Sequence, residues 1–186
     1  MFFYVLILFI VLQRMMELMI AKRNRKYIQA IGGFEVGNRH YPAIVLLHVL
    51  FFISLLIEGN QTSMPTWWPI PFIVFVFAQL VRIWVISTLG RFWNTRIFIV
   101  PDSKPIKTGP YRYLRHPNYL TVIIELLSIP LIFGAYYTAI LFSVMNALIL
   151  LIRISIEEQA LVRYTDYLQQ MDNTPRFIHI KQTKNK

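Results

Sequence analysis

The sequence predicts an all-α integral membrane protein with about five transmembrane helices, one long polar loop and a C-terminal helix. Three observations predict it. Hydrophobic residues fill 56% of the 186 positions, and mean hydropathy is positive. The apolar residues come in blocks close to the roughly 20 residues that cross a hydrocarbon core. Most of the Lys and Arg residues lie between those blocks, as they do in the loops of membrane proteins.

The first block, Phe2 to Ile20, is followed by no small-residue cleavage site and reads as a retained helix. It ends at Lys22, Arg23, Arg25 and Lys26, and the basic stretch runs on to Arg39. The charge rule puts this loop in the cytoplasm and the N-terminus outside. A second span from about Ala43 to Ile57 leads into Glu58-Gly-Asn-Gln-Thr, which lacks Lys and Arg and reads as an external turn. Trp67 and Trp68 mark an interface, and a third span from about Pro69 to Leu89 returns the chain inside.

Gly90 to Pro117 forms a second cytoplasmic segment, carrying Arg91, Arg96, Lys104, Lys107, Arg112 and Arg115. Loops of this length are usually functional or disordered, and its aromatic residues argue against disorder. Asn118 to Phe133 and Ala135 to Ile152 read as a helical hairpin turning at Gly134, and Arg153 marks the return to the cytoplasm. From Ser155 to Met171, the residues Ile156, Leu161, Tyr164, Leu168 and Met171 recur at helical spacing. This predicts a helix lying against the membrane or the site, followed by a basic tail from Lys181 to Lys186. The expectation is one domain over 1–186, with two N-terminal spans in 1–60 and the functional region in 90–178. It is a multi-pass cell-membrane protein with its C-terminus in the cytoplasm.

The net charge of +10 suits a membrane surface better than nucleic acid, because the cations alternate with apolar blocks. The absence of Cys excludes a disulfide framework, a thiolate nucleophile and a Cys-ligated metal. The seven glycines form neither Gly-x-Gly-x-x-Gly nor a P-loop, and no Gly-x-Ser-x-Gly or His-Glu-x-x-His occurs. The histidines at 40, 48, 116 and 179 lack metal-ligand spacing, so no metal is expected.

Arg82 and Glu125 are charges that fall inside the spans. Arg82 lies eight positions before Gly90 and Glu125 eight after Pro117, which at about 1.5 Å per residue puts both on the order of 12 Å below the cytoplasmic helix ends. One reading pairs them, with Gln79 or Arg14 nearby in height. The other has the arginines snorkel to the interface and Glu125 protonated.

The chain is organised around Lys104 to Tyr119, its longest polar, Pro-rich interruption. His116 sits between Arg115 and Pro117, either as a solvated helix cap or as a functional group. Tyr111, Tyr113 and Tyr119 offer rings to wall a flat ligand and hydroxyls to bond it. Arg153 and Glu157 share one helix face, either as a weak intrahelical pair or as anchors for a ligand bearing both charges.

Gly109-Pro-Tyr-Arg-Tyr-Leu-Arg-His-Pro-Asn-Tyr119, followed after one helical hairpin by Arg153-x-x-x-Glu157-Glu158, closely resembles the isoprenylcysteine carboxyl methyltransferase family. The resemblance covers about Leu89 to Phe177, including Tyr164-x-x-Tyr167 and Pro175-Arg-Phe-Ile178. It implies a membrane enzyme that binds S-adenosylmethionine in a cytoplasmic cofactor-binding loop and admits a lipid substrate from the bilayer. By position, Lys104, Pro105, Ile106, Tyr111, His116, Pro117, Asn118, Tyr119 and Glu157 would contact the cofactor, and Arg153 the substrate. That cofactor carries a sulfonium, an ammonium and a carboxylate, for which an acid, donors and aromatic faces are present. An already ionised oxygen as methyl acceptor needs no general base, and Arg153 would hold it in line.

Within this family, the bacterial branch points to alkylpyrone-type lipids as acceptors, with prenylated cysteine as the alternative. Phospholipid N-methylation, an NADPH-dependent membrane reductase, and a small transporter or structural membrane protein are the rival readings. Arg153 at the acceptor position opposes an ammonium substrate. Polar groups at matched depth suit a transport path.

Overall fold

The computed structural model describes residues 1–171 and 174–177, with the side chains of 168 and 169 left aside. The expected basic tail Lys181 to Lys186, His179 and Ile178 lie outside the described residues.

The chain is an all-α membrane protein. Helices α1 (Phe2–Ala30), α2 (Tyr41–Gly59), α3 (Pro69–Leu89) and α5 (Tyr136–Tyr164) are long and apolar enough to cross a bilayer. Helix α4 (Pro117–Ile132) is apolar but shorter, and α6 (Tyr167–Met171) is a single short turn beyond α5. Leu8, Phe77, Leu80, Ile140, Leu148 and Leu151 are exposed on the outside of the bundle, where acyl chains take the place of water. The inner faces meet in a core of Ile10, Phe51, Leu55, Phe75, Ile129 and Phe142.

The expected third span, Pro69 to Leu89, coincides with α3, whose start is set by prolines in the first turn. The first span differs. Helix α1 does not end near Ile20 but continues through the basic residues to Ala30, because Lys, Arg and Gln are good helix formers and nothing before Gly32 breaks the turn. At about 1.5 Å per residue its 29 residues measure roughly 43 Å, some 13 Å more than a hydrocarbon core needs.

Helix α5 has the same length. Its far end is braced by a two-stranded antiparallel ribbon, β1 (Phe34–Val36) with β2 (Ile97–Ile99), that the sequence reading did not anticipate. Ile97 and Ile99 pack there on Ala160, Ile156 and Leu161. The helix expected from Ser155 to Met171 is therefore two pieces, broken at extended Thr165, whose hydroxyl donates to the Leu161 carbonyl at 2.6 Å.

At the opposite end, Glu58 closes the bundle by accepting the backbone N–H groups of Tyr137 (2.9 Å) and Thr138 (2.7 Å). A carboxylate there satisfies orphan donors at the positive end of the α5 dipole. Near the functional loop, Gly109 has φ +54°, and a Cβ on it would run into Thr88 Oγ1. Glycine alone therefore lets the 3₁₀ turn at Gly109–Arg112 seat on the end of α3.

Candidate active site

Two cavities meet at the edge of the bundle. The larger, about 280 Å³, is walled by α1, α2, α4 and α5 and lined mostly by apolar side chains such as Ile44, Val45, Phe52, Val122 and Ile149. At its floor lie Arg14, Glu17 and Arg82.

These belong to a buried cluster that resolves the depth argument in favour of pairing. Arg82 donates from Nε to Glu125 Oε1 at 2.9 Å, and from Nη2 to Oε2. Arg14 bonds both Glu17 and Glu125, Gln79 reaches Glu125 at 2.6 Å, and Gln13 reaches Gln79 at 2.6 Å. Arg82 and Glu125 are 2% and 1% exposed, so neither snorkels to water. Two cations and two anions cancel, which is the condition for holding charge at this depth. Glu17 and Gln13, both on α1, are the members that sequence reasoning missed.

The smaller cavity, about 100 Å³, sits at the polar rim and is lined by Phe92, Trp93, Asn94, Arg96, Phe98, Tyr111, Arg115, His116, Asn118, Tyr119, Arg153 and Glu157, among others. Its centre is a short relay across two helices. Arg153 Nε donates to the Tyr119 hydroxyl at 2.8 Å, and that hydroxyl donates in turn to Glu157 Oε2. Arg153 Nη2 is held by the Thr95 carbonyl at 2.7 Å. Nη1 has no hydrogen-bond partner among the described residues. Arg153 and Glu157 thus do not form the weak intrahelical pair; Tyr119 stands between them.

His116 is not a solvated cap. It is 5% exposed, makes no side-chain cap bond to α4, and stacks on the Tyr119 ring at 5.4 Å and 15°. Its Nε2 lies 3.0 Å from Glu158 Oε1, and Glu158 is also gripped by Arg176. Arg115 ties the C-terminal segment down, its backbone N–H donating to the Pro175 carbonyl at 2.9 Å and its Nε to the Thr174 carbonyl. Burial first, then the Glu157 carboxylate, raises the Tyr111 phenol above its ordinary pKa, so its O–H stays protonated and available as a donor.

Of the residues singled out from sequence, Tyr111, His116, Asn118, Tyr119, Arg153 and Glu157 are brought together around the rim cavity. Pro117 is buried behind them at the first turn of α4. Lys104, Pro105 and Ile106 line neither cavity, and Lys104 is exposed. Trp93, Thr95 and Arg96 join the site without having been given a role from sequence; they come from the irregular stretch before β2, where neither period nor spacing carries a signal. Glu158, quoted from sequence only as part of the motif, joins it through His116.

Trp93, Asn118, Tyr119 and Arg153 line both cavities. An apolar chamber within the bundle and a polar pocket at its rim thus share one wall of hydrogen-bonding groups. Residues 71–163 match the Isoprenylcysteine carboxyl methyltransferase (ICMT) family, and the chain belongs to that family. The match points to a membrane methyltransferase.

Two relatives extend the similarity beyond the matched region. The uncharacterized protein YpbQ of Bacillus subtilis (strain 168) is 41% identical over 167 residues, which is 88% of this chain and 98% of the relative. An uncharacterized protein of Haemophilus influenzae is 32% identical over 151 residues, 80% of this chain and 88% of its own length.

Proposed function

We propose that the chain is an S-adenosylmethionine-dependent O-methyltransferase acting at the cytoplasmic membrane face on a lipophilic acceptor with an acidic oxygen, an alkylpyrone-type lipid before a prenylated cysteine. The observation that carries this reading is the wall shared by the two cavities, with Arg153 reaching both.

The rim cavity's donor set fits the cofactor's chemistry. Glu157 is an anion for an ammonium, Arg96 and Arg115 are cations beside a carboxylate, and Phe92, Trp93, Phe98 and Tyr111 offer faces to a purine or a cationic sulfur. Its volume is below the roughly 300 to 1,000 Å³ of ordinary small-molecule pockets, so binding has to be accompanied by side-chain movement. When bound, the cofactor supplies an electrophilic methyl group. The chain's own residues do the rest. Nη1 of Arg153 fixes the acceptor oxyanion, Tyr119 and Thr95 hold the guanidinium in orientation, and the apolar chamber excludes water from the acceptor's tail. No residue has to remove a proton from an acceptor that is already ionised.

The test is to incubate the purified protein with labelled S-adenosylmethionine and, separately, an alkylpyrone and a farnesylcysteine analogue. Transfer to the alkylpyrone is expected. Transfer to the farnesylcysteine analogue alone would reverse the substrate preference, and transfer to neither would remove both acceptors.

Cofactor affinity gives an independent check. His116→Ala, which also removes one of the partners of Glu158, and Glu157→Ala, which leaves the Tyr119 hydroxyl without its acceptor, should each weaken S-adenosylmethionine binding by roughly tenfold to a hundredfold, as loss of a charge-assisted bond does. Calorimetric titration in detergent reads this directly, and unchanged affinity in both variants would refute the site.

The orientation belongs to the same proposal, with one domain over 1–186, the N-terminus outside and the C-terminus in the cytoplasm, since the basic end of α1 and the rim cavity lie toward the same bundle edge. With no native Cys, a single Cys at Asn60 is expected to react with an impermeant reagent from outside only. Labelling from the cytoplasmic side would invert the topology.

A further inference from the structure

The apolar chamber contains two polar groups that neither the charge cluster nor the methyl-transfer site uses. Asn146, on α5, is 4% exposed, lines the chamber, and has no hydrogen-bond partner among the described residues. A primary amide held at membrane depth with all its donors and acceptors unmet costs free energy, so the position calls for a ligand. His48, on α2, lines the same chamber. Its Nδ1 lies 2.8 Å from the Ile44 carbonyl oxygen, which can only accept. The ring proton therefore sits on Nδ1, and in the neutral ring Nε2 presents a lone pair with no protein partner among the described residues.

The placement of these groups is specific. Asn146 precedes Arg153 by seven residues, almost two helical turns, so both occupy one face of α5 and both line the chamber. At about 1.5 Å per residue they are roughly 10 Å apart along the axis. On α4, Glu125 follows Tyr119, the partner of Arg153, by six residues, which sets the charge cluster at nearly the same depth as Asn146. The cluster's ions are already matched, two against two, and do not need a charged ligand. What remains open is one amide, able to donate and accept, and one imidazole nitrogen, able to accept.

We infer that Asn146 and His48 form a polar subsite, about 10 Å from Arg153 along α5, that binds a hydroxyl carried on the chain of the lipid substrate. A hydroxyl is the group that matches, donating to His48 Nε2 while accepting from the Asn146 amide. A plain alkyl chain leaves both polar groups unmet. The inference rests on the proposed reading of the chamber as the acceptor's binding site.

The experiment compares two probes that differ only there: a long-chain fatty acid with a hydroxyl about 10 Å from its carboxylate, and the unsubstituted parent acid. Each is titrated calorimetrically into the cofactor-free protein from identical detergent micelles. The wild type is expected to bind the hydroxy acid about tenfold more tightly than the parent. Asn146→Leu and His48→Leu should each bring that ratio close to one, with binding of the parent acid reporting that the variants are folded. A wild-type ratio of one would overturn the inference, leaving the two groups as holders of water, and so would a preference that survives both substitutions. Methylation assays on the same proteins separate the two proposals. Discrimination between the acids without methyl transfer to any acceptor retires the methyltransferase reading and keeps the subsite, whereas transfer without discrimination does the reverse.

Discussion

Arg153→Ala is expected to lower single-turnover methyl transfer by about a hundredfold, the cost of letting the acceptor oxygen drift by about 1 Å from the in-line position in which Arg153 holds it. The geometry makes this substitution separable from cofactor binding. Arg153 is anchored by the Tyr119 hydroxyl at 2.8 Å and the Thr95 carbonyl at 2.7 Å, which leaves Nη1 as the group available to an acceptor. Arg153→Lys keeps the charge but cannot hold both anchors and present a further donor, so it should recover only part of the rate. S-adenosylmethionine affinity, measured by calorimetry, should change far less than turnover in either variant. A loss of affinity that tracks the loss of turnover would move Arg153 from the acceptor to the cofactor side and undo the assignment.

The second large effect concerns stability. Glu125 is 1% exposed and accepts from Arg82, Arg14 and Gln79, so Glu125→Leu leaves two guanidinium groups inside the bundle with only Glu17 to answer them. Breaking a buried pair by removing one partner costs about 3 to 5 kcal/mol, and that loss is expected in denaturant unfolding of the detergent-solubilised protein. Adding Arg82→Leu restores neutrality, because Arg14 and Glu17 remain as a matched pair. The double variant should therefore be more stable than the sum of the single changes predicts, by a coupling of about 1 to 3 kcal/mol. Strict additivity would show that the cluster does not act as a unit.

Much of this was legible in the chain. Pro69 and Pro117 mark helix starts because proline at a first turn gives up only an unneeded donor, and both helices begin there. Arg82 and Glu125 stood out because a charge in an apolar block is costly, and counting residues placed them at one depth. His116, Asn118, Tyr119, Arg153 and Glu157 were chosen from motif and spacing, and they do share one cavity. His48 and Asn146 carry the same kind of signal as Arg82, a polar residue inside an apolar run, but a weaker one because neither is formally charged.

What the sequence determined by itself is the set of faces: which residues meet lipid, which meet the core, and where polar chemistry interrupts them. A helical period reports the environment along one element, and that environment is local. What only the tertiary structure decided is which polar atom meets which. Tyr119 separates Arg153 from Glu157, Glu17 completes the neutral cluster, and β1 finds β2 across more than fifty residues of chain. Those pairings depend on how each helix is rotated about its own axis and on how close its neighbours pack, and an unpaired charge or amide at bilayer depth is costly enough to make that rotation definite.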